Sequence, residues 1–443
     1  MFMKVLHVPF TYYPAPCGGT EVYVAALCQA LGDRGVECVV AAAAPRRADY
    51  VHEGVPVTLF ATHPRQSQAM IYGEGDPVAA DEFAAVLDRE RPDLVHFHAY
   101  SAAVGVLALQ KARERGIPCV STYHTPGVSC QRGTLMKWGK TPCDGEMRPW
   151  RCAACFLHSH GMPLMLAQMA AGVSTLTAPL ARLPGLGNAT RAVLNATPLM
   201  ARRAQATREW WAGMNRVISL CDWTRALLLL NGVPAGRIAQ VRHGLPFPSS
   251  PVRDNEGPSS LPLRLAFMGR LDATKGIDLL MDALGLVPGL PACLDLFVIA
   301  GESERKSLRS ACKDSRIRLQ APVPPLEVVP TLGKYDALLV PSRWLETGPL
   351  VVLEAFAAGI PVIGSNLGGI AEKVRHEVDG LLVEAPTAIA WKAVLDRLAD
   401  EPGLLGRLRS GVKPPRTMAE VAEEMHAIYL EETPLHSCTS PPS

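Results

Sequence analysis

The stretch VPSRWLETGPLVVLEAFAAGIPVIGSNLGGIAE, from Val340 to Glu372, decides the fold of this chain. Its apolar run ending at Pro341 predicts a buried strand that leads into a polar loop. Pro349 suits the first turn of the helix that follows, because its missing N–H would have no partner there. That helix ends at a glycine, a second buried strand follows, and Gly368 opens another helix. The segment therefore predicts part of an α/β sheet.

Two carboxylates flank the predicted start of this helix. Glu346 precedes the helix and Glu354 lies within it. The first turn of a helix exposes amide donors and the positive end of the helix dipole, so it attracts an anion. Carboxylates beside such a site can accept hydrogen bonds from sugar or ribose hydroxyls. Anion and polyol recognition together indicate a nucleotide-sugar site.

Composition indicates two domains. The chain has 443 residues, of which 48% are hydrophobic, so it is too long for one ordinary domain and apolar enough for two cores. Its net charge of +2, without a long Lys/Arg block, argues against nucleic acid as a partner. The short apolar run at the N-terminus predicts a first strand rather than a signal peptide. We therefore expect a cytoplasmic protein.

The first half begins with the pattern of a doubly wound sheet. A strand from Lys4, a glycine loop at Gly18 and Gly19, a helix and a second strand follow in order. The two glycines can let the backbone approach a phosphate, although a tight turn explains them equally well. His98 and His124 each follow a buried strand, where ligands of open α/β sheets bind. A packed or surface role is the alternative for both histidines.

A cysteine-rich insert, residues 130–160, interrupts this pattern. Cys130, Cys143, Cys152 and Cys155 have the spacing C-x12-C-x8-C-x2-C. Four thiolates ending in a C-x-x-C pair can complete a tetrahedral zinc shell, and a short polar insert needs such a staple. A structural zinc site is the favoured interpretation. An iron–sulfur cluster, and reduced or disulfide-linked thiols, stay open because one C-x-x-C pair is less diagnostic than two.

An uncharged segment overlaps the insert, since no Lys, Arg, Asp or Glu occurs from Cys152 to Ala181. It is long enough to span a bilayer, but Pro163, Gly172 and Pro179 interrupt it. We expect buried helices of the domain here. The alternative is an apolar helix pair that touches a lipid-linked substrate or a membrane, which would place the protein at the cytoplasmic membrane face.

A Pro/Ser/Gly-rich break divides the chain into the two expected domains. The predicted boundaries are an N-terminal domain at 1–247, a linker at 248–262, a C-terminal domain at 263–415, a closing helix at 416–432 that can pack back on the first domain, and a tail at 433–443. The second domain opens with a buried strand, and Arg270 and Lys275 follow at its carboxyl end. Two positive charges at this position suit a diphosphate.

Separated motifs occur in the order of a known family. They are CGGT, HFH, YHT, ISLCDWTR, MGRLDATKG, ETGPLVVLEAFAAGIPVIGS and GGIAE. With these motifs the chain resembles the retaining glycosyltransferases of family 4 from Lys4 to Asp400, most closely in its second half. The resemblance implies the GT-B fold, in which two Rossmann-like doubly wound domains face each other across a cleft. It also implies sugar transfer from a nucleoside-diphosphate donor to an acceptor hydroxyl, with retention of anomeric configuration.

The resemblance also implies roles for individual residues. Arg270 and Lys275 would neutralise the leaving diphosphate, so that no catalytic metal is expected. Glu346 would hold the transferred sugar, and Glu354 the ribose of the nucleotide. His124 would lie near the sugar as a catalytic residue, on the acceptor side together with His98. The remaining donor-binding residues that it implies are Gly18, Gly19, Thr347, Gly348, Pro349 and Leu350.

The implied partners are a UDP-, GDP- or ADP-sugar of hexosyl or N-acetylhexosaminyl type and a glycan, lipid-linked or small-molecule acceptor. The product would belong to a cell-envelope polysaccharide, glycolipid or other glycoconjugate. Glu346 is followed by Thr-Gly-Pro where this family more often has an aromatic-containing turn, which leaves the identity of the sugar open. A nucleotide-sugar epimerase of the same architecture and a non-catalytic nucleotide-sugar-binding protein are the alternatives.

Overall fold

The computed structural model describes residues 3–15, 18–247 and 261–433. These residues form two compact units. The first unit contains the described chain up to Arg242 and from Met418 onward, and the second runs from His243 to Thr417. Each unit is built on its own, mostly parallel sheet.

Strands and helices alternate along most of the chain, as an α/β fold requires. The strands are β1 (Lys4–Val8), β2 (Glu37–Ala44), β3 (Ala48–His52), β4 (Val55–Ala61), β5 (Leu94–Phe97), β6 (Cys119–Thr122), β7 (Met136–Lys137), β8 (Thr141–Pro142), β9 (Arg216–Ser219), β10 (Ile238–Gln240), β11 (Leu263–Arg270), β12 (Ala292–Ile299), β13 (Ile317–Gln320), β14 (Ala337–Val340), β15 (Val362–Ser365) and β16 (Gly380–Val383). The α-helices are α1 (Gly19–Gly32), α2 (Pro77–Glu90), α3 (Val106–Arg113), α4 (Pro149–Ser159), α5 (Leu164–Thr177), α6 (Asn188–Leu194), α7 (Ala196–Ala212), α8 (Asp222–Leu230), α9 (Ile277–Gly285), α10 (Glu302–Ala311), α11 (Val328–Leu332), α12 (Leu350–Ala357), α13 (Gly368–Lys373), α14 (Ala388–Asp400), α15 (Leu404–Gly411) and α16 (Met418–Glu432).

The first unit carries an eight-stranded sheet in the order β10-β9-β6-β5-β1-β2-β4-β3. Its pairs are parallel except that β3 runs antiparallel to β4. Strand β1 pairs with β2 on one side and with β5 on the other. The strand order therefore reverses between β1 and β5, and ligands of such sheets bind at that switch point, beyond the carboxyl ends of the strands.

The second unit carries a six-stranded parallel sheet in the order β13-β12-β11-β14-β15-β16. This is the order 3-2-1-4-5-6 of a dinucleotide-binding fold, with the switch point between β11 and β14. Apolar side chains from both faces of the sheet are fully buried, as continuous apolar strands predict. The predicted class of two doubly wound α/β domains is confirmed.

Helix α16 belongs to the core of the first unit. Its buried residues Val421, Ala422, Met425 and Tyr429 pack with side chains of β1, β2 and α1. Helix α16 therefore completes the core of the domain that also contains β1 and α1.

The predicted domain boundaries differ from the observed ones by a few residues. Residues 243–247, which the sequence placed in the first domain, belong to the second, because Leu245 packs in that core and pairs with Thr417. For the same reason the second unit extends to Thr417 rather than to residue 415. Apart from Leu261, Pro262 and Thr433, the predicted linker and tail lie outside the described residues.

The insert of the first unit folds as a small hairpin followed by helices. Strands β7 and β8 pair antiparallel, α4 ends the insert at Ser159, and helices α5 to α7 follow the insert. Ala153, Ala154 and Leu157 of α4 pack with Leu199 and Met200 of α7 in a separate apolar cluster. The insert therefore has more apolar content than the sequence interpretation allowed.

Candidate functional site

The carboxyl edge of the second sheet carries a pair of opposite charges at its switch point. Lys275 lies in the short 3₁₀ turn after β11, and Glu346 lies in the loop after β14. Lys275 Nζ donates to Glu346 Oε1 at 2.8 Å, and the Ser342 hydroxyl donates to the same oxygen. The Lys275 side chain is 19% exposed and that of Glu346 6%. The sheet topology thus joins two charges that lie 71 residues apart in the chain.

Glycines let the loop with Glu346 approach neighbouring backbone. Gly276 adopts φ +72°, and a Cβ there would lie 2.1 Å from the carbonyl oxygen of Pro341. The Gly369 amide donates to the Glu346 carbonyl oxygen at 2.7 Å. A Cβ at Gly369 would lie 2.7 Å from the backbone nitrogen of Gly348. The loop is therefore held on two sides by backbone contacts that leave no room for a side chain.

Helix α12 begins directly after this loop. Pro349 is its N-cap and Leu350 its first helical residue, so the amides of the first turn have no partner within the helix. Glu354 lies one turn further along, and burial raises its pKa to about 7. Arg270 ends β11 with an exposed side chain. Elements that meet at one sheet edge thus supply cations, helix amides without an intrahelical partner, and a carboxyl that can change charge near neutral pH.

The first unit has a glycine-led helix after β1, at its own switch point. Gly18 caps α1, and the Gly18 amide donates to Glu21 Oε2 at 2.8 Å. Glu21 is 5% exposed. The buried Glu21 side chain therefore already accepts a hydrogen bond from the Gly18 amide, which the sequence predicted to lie near a phosphate. A phosphate could use the Gly18 amide only by displacing Glu21, and Gly18 and Gly19 stay predicted donor-binding positions.

Three histidines form a hydrogen-bonded chain at the carboxyl edge of the first sheet. His7 Nδ1 lies 3.1 Å from His98 Nε2, and His98 Nδ1 lies 3.0 Å from His124 Nε2. Burial lowers the pKa of His124 to about 3 and that of His98 well below its usual value, so both are neutral at physiological pH. Since a neutral imidazole donates one proton, the protons along this chain all point in one direction.

The two histidines that the sequence predicted as site residues have different positions in this hydrogen-bonded row. His124 is 7% exposed, whereas His98 is 1% exposed and holds His124 from the protein side. Sequence reasoning missed His7, which is fully buried. The alternation of side chains along β1 could have identified His7 as a candidate. Its contact with His98, however, depends on the pairing of β1 with β5.

His96, the other histidine of the HFH motif, is a core residue. Its Nδ1 lies 2.6 Å from the Tyr429 hydroxyl, and its Nε2 lies 2.7 Å from the Thr122 hydroxyl. Both ring nitrogens are therefore engaged by the protein. Burial lowers the pKa of His96 well below its usual value, which keeps the ring neutral.

The four cysteines of the insert line one cavity of about 40 Å³. Cys130 precedes the β7–β8 hairpin and Cys143 follows it, while Cys152 and Cys155 lie one turn apart on α4. Burial raises the pKa of Cys152 to about 12 and also raises the pKa values of Cys143 and Cys155. A metal bound here would have to displace protons from these thiols.

No three sulfur atoms of the insert cysteines lie as close to one another as the ligands of a bound zinc ion would. Among the described residues, three ligand atoms lie within 4.8 Å of one another at His7, His96 and His98 and at His7, Cys28 and Cys38, but at no three of the insert cysteines. The first of these groups includes His96, whose nitrogens are both bonded elsewhere. A zinc ion in the insert would therefore have to draw the four thiols together.

Helix α5 is largely exposed, so the expectation of buried helices was wrong. The segment Leu164–Arg182 is the one helix in the described chain that is long and apolar enough to cross a membrane, and 17% of its most apolar window is buried. Its buried residues are the small ones, Ala167, Ala171 and Ser174. Apolar content alone does not show which face of a helix packs, and here the large side chains face outward.

Comparisons with known proteins match both units. The sequence model described as Glycosyltransferase Family 4 matches residues 17–246, and the one described as Glycosyl transferases group 1 matches residues 262–401. The D-inositol 3-phosphate glycosyltransferase of Arthrobacter sp. (strain FB24) is 26% identical, over 93% of this chain and 90% of the relative.

Solved structures match the whole fold. Sucrose-phosphate synthase from Thermosynechococcus elongatus superposes with a TM-score of 0.66 at 17% identity, over 97% of this chain and 98% of that chain. The Anabaena protein HepE in complex with UDP-glucose gives a TM-score of 0.60 at 14% identity, over 97% of this chain and 100% of that chain. The GT-B fold class is confirmed.

Proposed function

The chain belongs to glycosyltransferase family 4 and is a glycosyltransferase, and from this premise we propose that it moves a sugar from a nucleoside-diphosphate donor to an acceptor hydroxyl with retention of anomeric configuration. The observation that carries the proposal is the Lys275–Glu346 pair at the switch point of the second sheet. A cation beside a carboxylate suits a diphosphate that is joined to a sugar, because the first group attracts phosphate and the second accepts sugar hydroxyls.

Lys275 can bind the leaving group while it stays paired. Its ammonium has three donors, of which one bonds Glu346 Oε1. The other two can reach diphosphate oxygens, and the exposed guanidinium of Arg270 adds a second positive charge. Both groups stabilise the negative charge that develops on the leaving diphosphate. We expect this neutralisation to replace a catalytic metal.

The two glutamates would bind the neutral parts of the donor. Ser342 and Lys275 fix the Glu346 carboxylate, which would orient the hydroxyls of the transferred sugar. Glu354 would accept hydrogen bonds from the ribose, which favours its ionised form. The backbone N–H groups of Gly348 and Leu350 at the start of α12 would add donors to phosphate or sugar oxygens.

His124 would serve the acceptor side of the reaction. Its neutral ring can donate or accept one hydrogen bond near the reacting sugar, and His98 fixes its orientation. We propose a glycan, lipid-linked or small-molecule acceptor. UDP-glucose, which the Anabaena protein binds, makes UDP-hexoses the first donors to test, before GDP- and ADP-sugars.

A panel of nucleotide sugars with and without candidate acceptors tests the proposal. We expect acceptor-dependent release of nucleoside diphosphate in the presence of a metal chelator. Proton NMR of the product should show the anomeric configuration of the donor. An isomerised donor without acceptor would identify an epimerase instead, and tight binding without turnover for every acceptor would identify a non-catalytic protein.

A further inference from the structure

Helix α5 presents a continuous ridge of large apolar side chains to the outside of the first unit. The ridge consists of Met165, Leu166, Met169, Val173 and Leu176 of α5 and of Leu180 in the 3₁₀ turn that follows, with exposed fractions of 77%, 55%, 66%, 52%, 83% and 49%. Their spacing keeps them on one side of the helix, opposite Ala167, Ala171 and Ser174. Soluble proteins rarely expose contiguous apolar surface of this kind without a partner.

The segment of the chain that contains this ridge carries charges of a single sign. No Asp or Glu occurs between Glu146 and Glu209, whereas this interval contains Arg148, Arg151, Arg182, Arg191, Arg202, Arg203 and Arg208. Arg148, Arg151 and Arg202 pair with carboxylates that lie outside the interval. Arg182 and Arg191, which flank the C-terminal end of the ridge, form no ion pair within the described chain, so no carboxylate there offsets their charge.

We propose that the ridge docks this protein on an anionic lipid bilayer, with the large side chains of α5 inserted among the lipids and Arg182 and Arg191 at the head groups. An interfacial helix combines an apolar face with basic residues near the membrane surface, and anionic lipids attract those residues. A second copy of this chain is the other possible occupant, and the basic residues beside the ridge favour the anionic lipid surface over it.

The helix lies on the membrane rather than crossing it. Ala167 and Ala171 pack against α4 and α7, so one side of α5 stays attached to its domain. The α-helix ends at Thr177 and continues as a 3₁₀ turn, which is shorter than the roughly 20 regular helical residues that a span requires. The docking does not depend on the proposed transfer reaction, because neither α5 nor the arginines belong to the site around Lys275.

Flotation of the full chain with vesicles tests the docking. We expect binding to vesicles of 70% phosphatidylcholine and 30% phosphatidylglycerol, and at least tenfold weaker binding to pure phosphatidylcholine or in 0.5 M NaCl. The variant Met165→Gln/Met169→Gln/Leu176→Gln should reduce binding to anionic vesicles at least tenfold with an unchanged Tm. The matched control Leu326→Gln/Ile389→Gln changes two equally exposed apolar residues of the second unit and should bind as the wild type does.

Three results would overturn the proposal. One is equal vesicle binding by the wild type and the ridge variant, and another is no binding of the wild type to anionic vesicles. The third is a dimer in light scattering that the ridge variant converts to a monomer, because the ridge would then be covered by a second copy.

Discussion

Lys275 and Glu346 bind each other at 2.8 Å at the point where the strand order of the second sheet reverses. The pair is held before any donor arrives, since Ser342 bonds the same carboxylate oxygen and backbone contacts fix the loop. Groups that are already in place lose little further freedom when the transition state forms, which is how positioning and electrostatic stabilisation lower a barrier.

Substitutions of this pair should affect the stability of the protein and its activity differently. We expect Lys275→Met to lower kcat about 10²- to 10³-fold, the usual cost of losing one preorganised electrostatic group. It should also lower the Tm, because it leaves the largely buried Glu346 carboxylate without its cation. The double variant Lys275→Met/Glu346→Gln should regain stability and remain inactive. Lys306→Met, at an exposed position of α10, is the control, and near-normal turnover by the double variant would contradict the site assignment.

Glu354 should make nucleotide binding depend on pH. Its pKa is raised to about 7 by burial, and hydrogen bonds from a ribose favour the ionised form, so binding should lower that pKa and release protons. The affinity for UDP should therefore increase as the pH rises from about 5.5 to 7.5, by at most about tenfold per pH unit. Isothermal titration calorimetry in buffers with different ionisation enthalpies measures the released protons. Glu354→Gln should bind more weakly and lose this dependence, and an unchanged pH profile in that variant would exclude Glu354 as its origin.

The same carboxyl affects stability in the opposite direction. Its raised pKa in the folded state means that the folded protein holds a proton that the unfolded chain loses above about pH 4.5. The stabilising contribution is therefore complete below that pH and disappears as the pH rises through about 7. Without nucleotide, Glu354→Gln should thus gain stability relative to the wild type at pH 8 but not at pH 4.5, as pH-dependent urea unfolding would show.

Gly276 should tolerate no side chain. A Cβ at this position would lie 2.1 Å from the Pro341 carbonyl oxygen, and φ is +72°. We expect Gly276→Ala to lower the free energy of unfolding by more than about 2 kcal/mol, because a left-handed backbone and a steric clash both oppose it. Gly285→Ala is the matched control, since a Cβ at Gly285 meets nothing within 4 Å. Equal Tm values for the two variants would contradict this account.

The strands and helices of the second unit were predictable because each of them follows from residues that are adjacent in the sequence. An apolar strand, a loop and a helix start follow each other within Val340 to Glu372, and the strands on either side repeat the pattern. The pairing of β11 with β14, which the structure adds to this local pattern, places their carboxyl ends side by side and makes Lys275 and Glu346 neighbours. The fold class followed from the same regularity.

The histidine chain and the ridge were not predictable in this way. The contact of His7 with His98 joins residues 91 positions apart and depends on which strands pair, which periodicity does not specify. The apolar segment was expected to be buried, but α5 packs through Ala167 and Ala171, and its Met and Leu side chains face outward. The pattern of hydrophobic residues identifies a helix without revealing whether its large or its small residues make the contact.

The insert should bind one zinc ion per chain. Cys130, Cys143, Cys152 and Cys155 line one cavity, and a four-coordinate site would bring their sulfur atoms to about 2.3 Å from the metal. We expect elemental analysis of protein purified without added chelator to give one zinc, and a loss of that zinc in Cys152→Ser. Cys312→Ser, at a partly exposed position of the second unit, should keep it. Metal-free protein with four reactive thiols would contradict the zinc assignment.

Helix α16 should contribute to the stability of the first domain through a buried hydrogen bond of Tyr429. Its hydroxyl lies 2.6 Å from His96 Nδ1, and both residues are fully buried. Tyr429→Phe keeps the ring and leaves the imidazole nitrogen without a partner, which costs about 1–3 kcal/mol for a buried polar group. We expect the transition of the first domain to shift by several °C in thermal unfolding, on the order of 2–4 °C per kcal/mol for a domain of this size. Tyr72→Phe is the control, because its hydroxyl has a long 3.4 Å contact with Gln131 and should cost less than about 0.5 kcal/mol. An unchanged transition in Tyr429→Phe would show that the bond to His96 contributes nothing to the stability of the first domain.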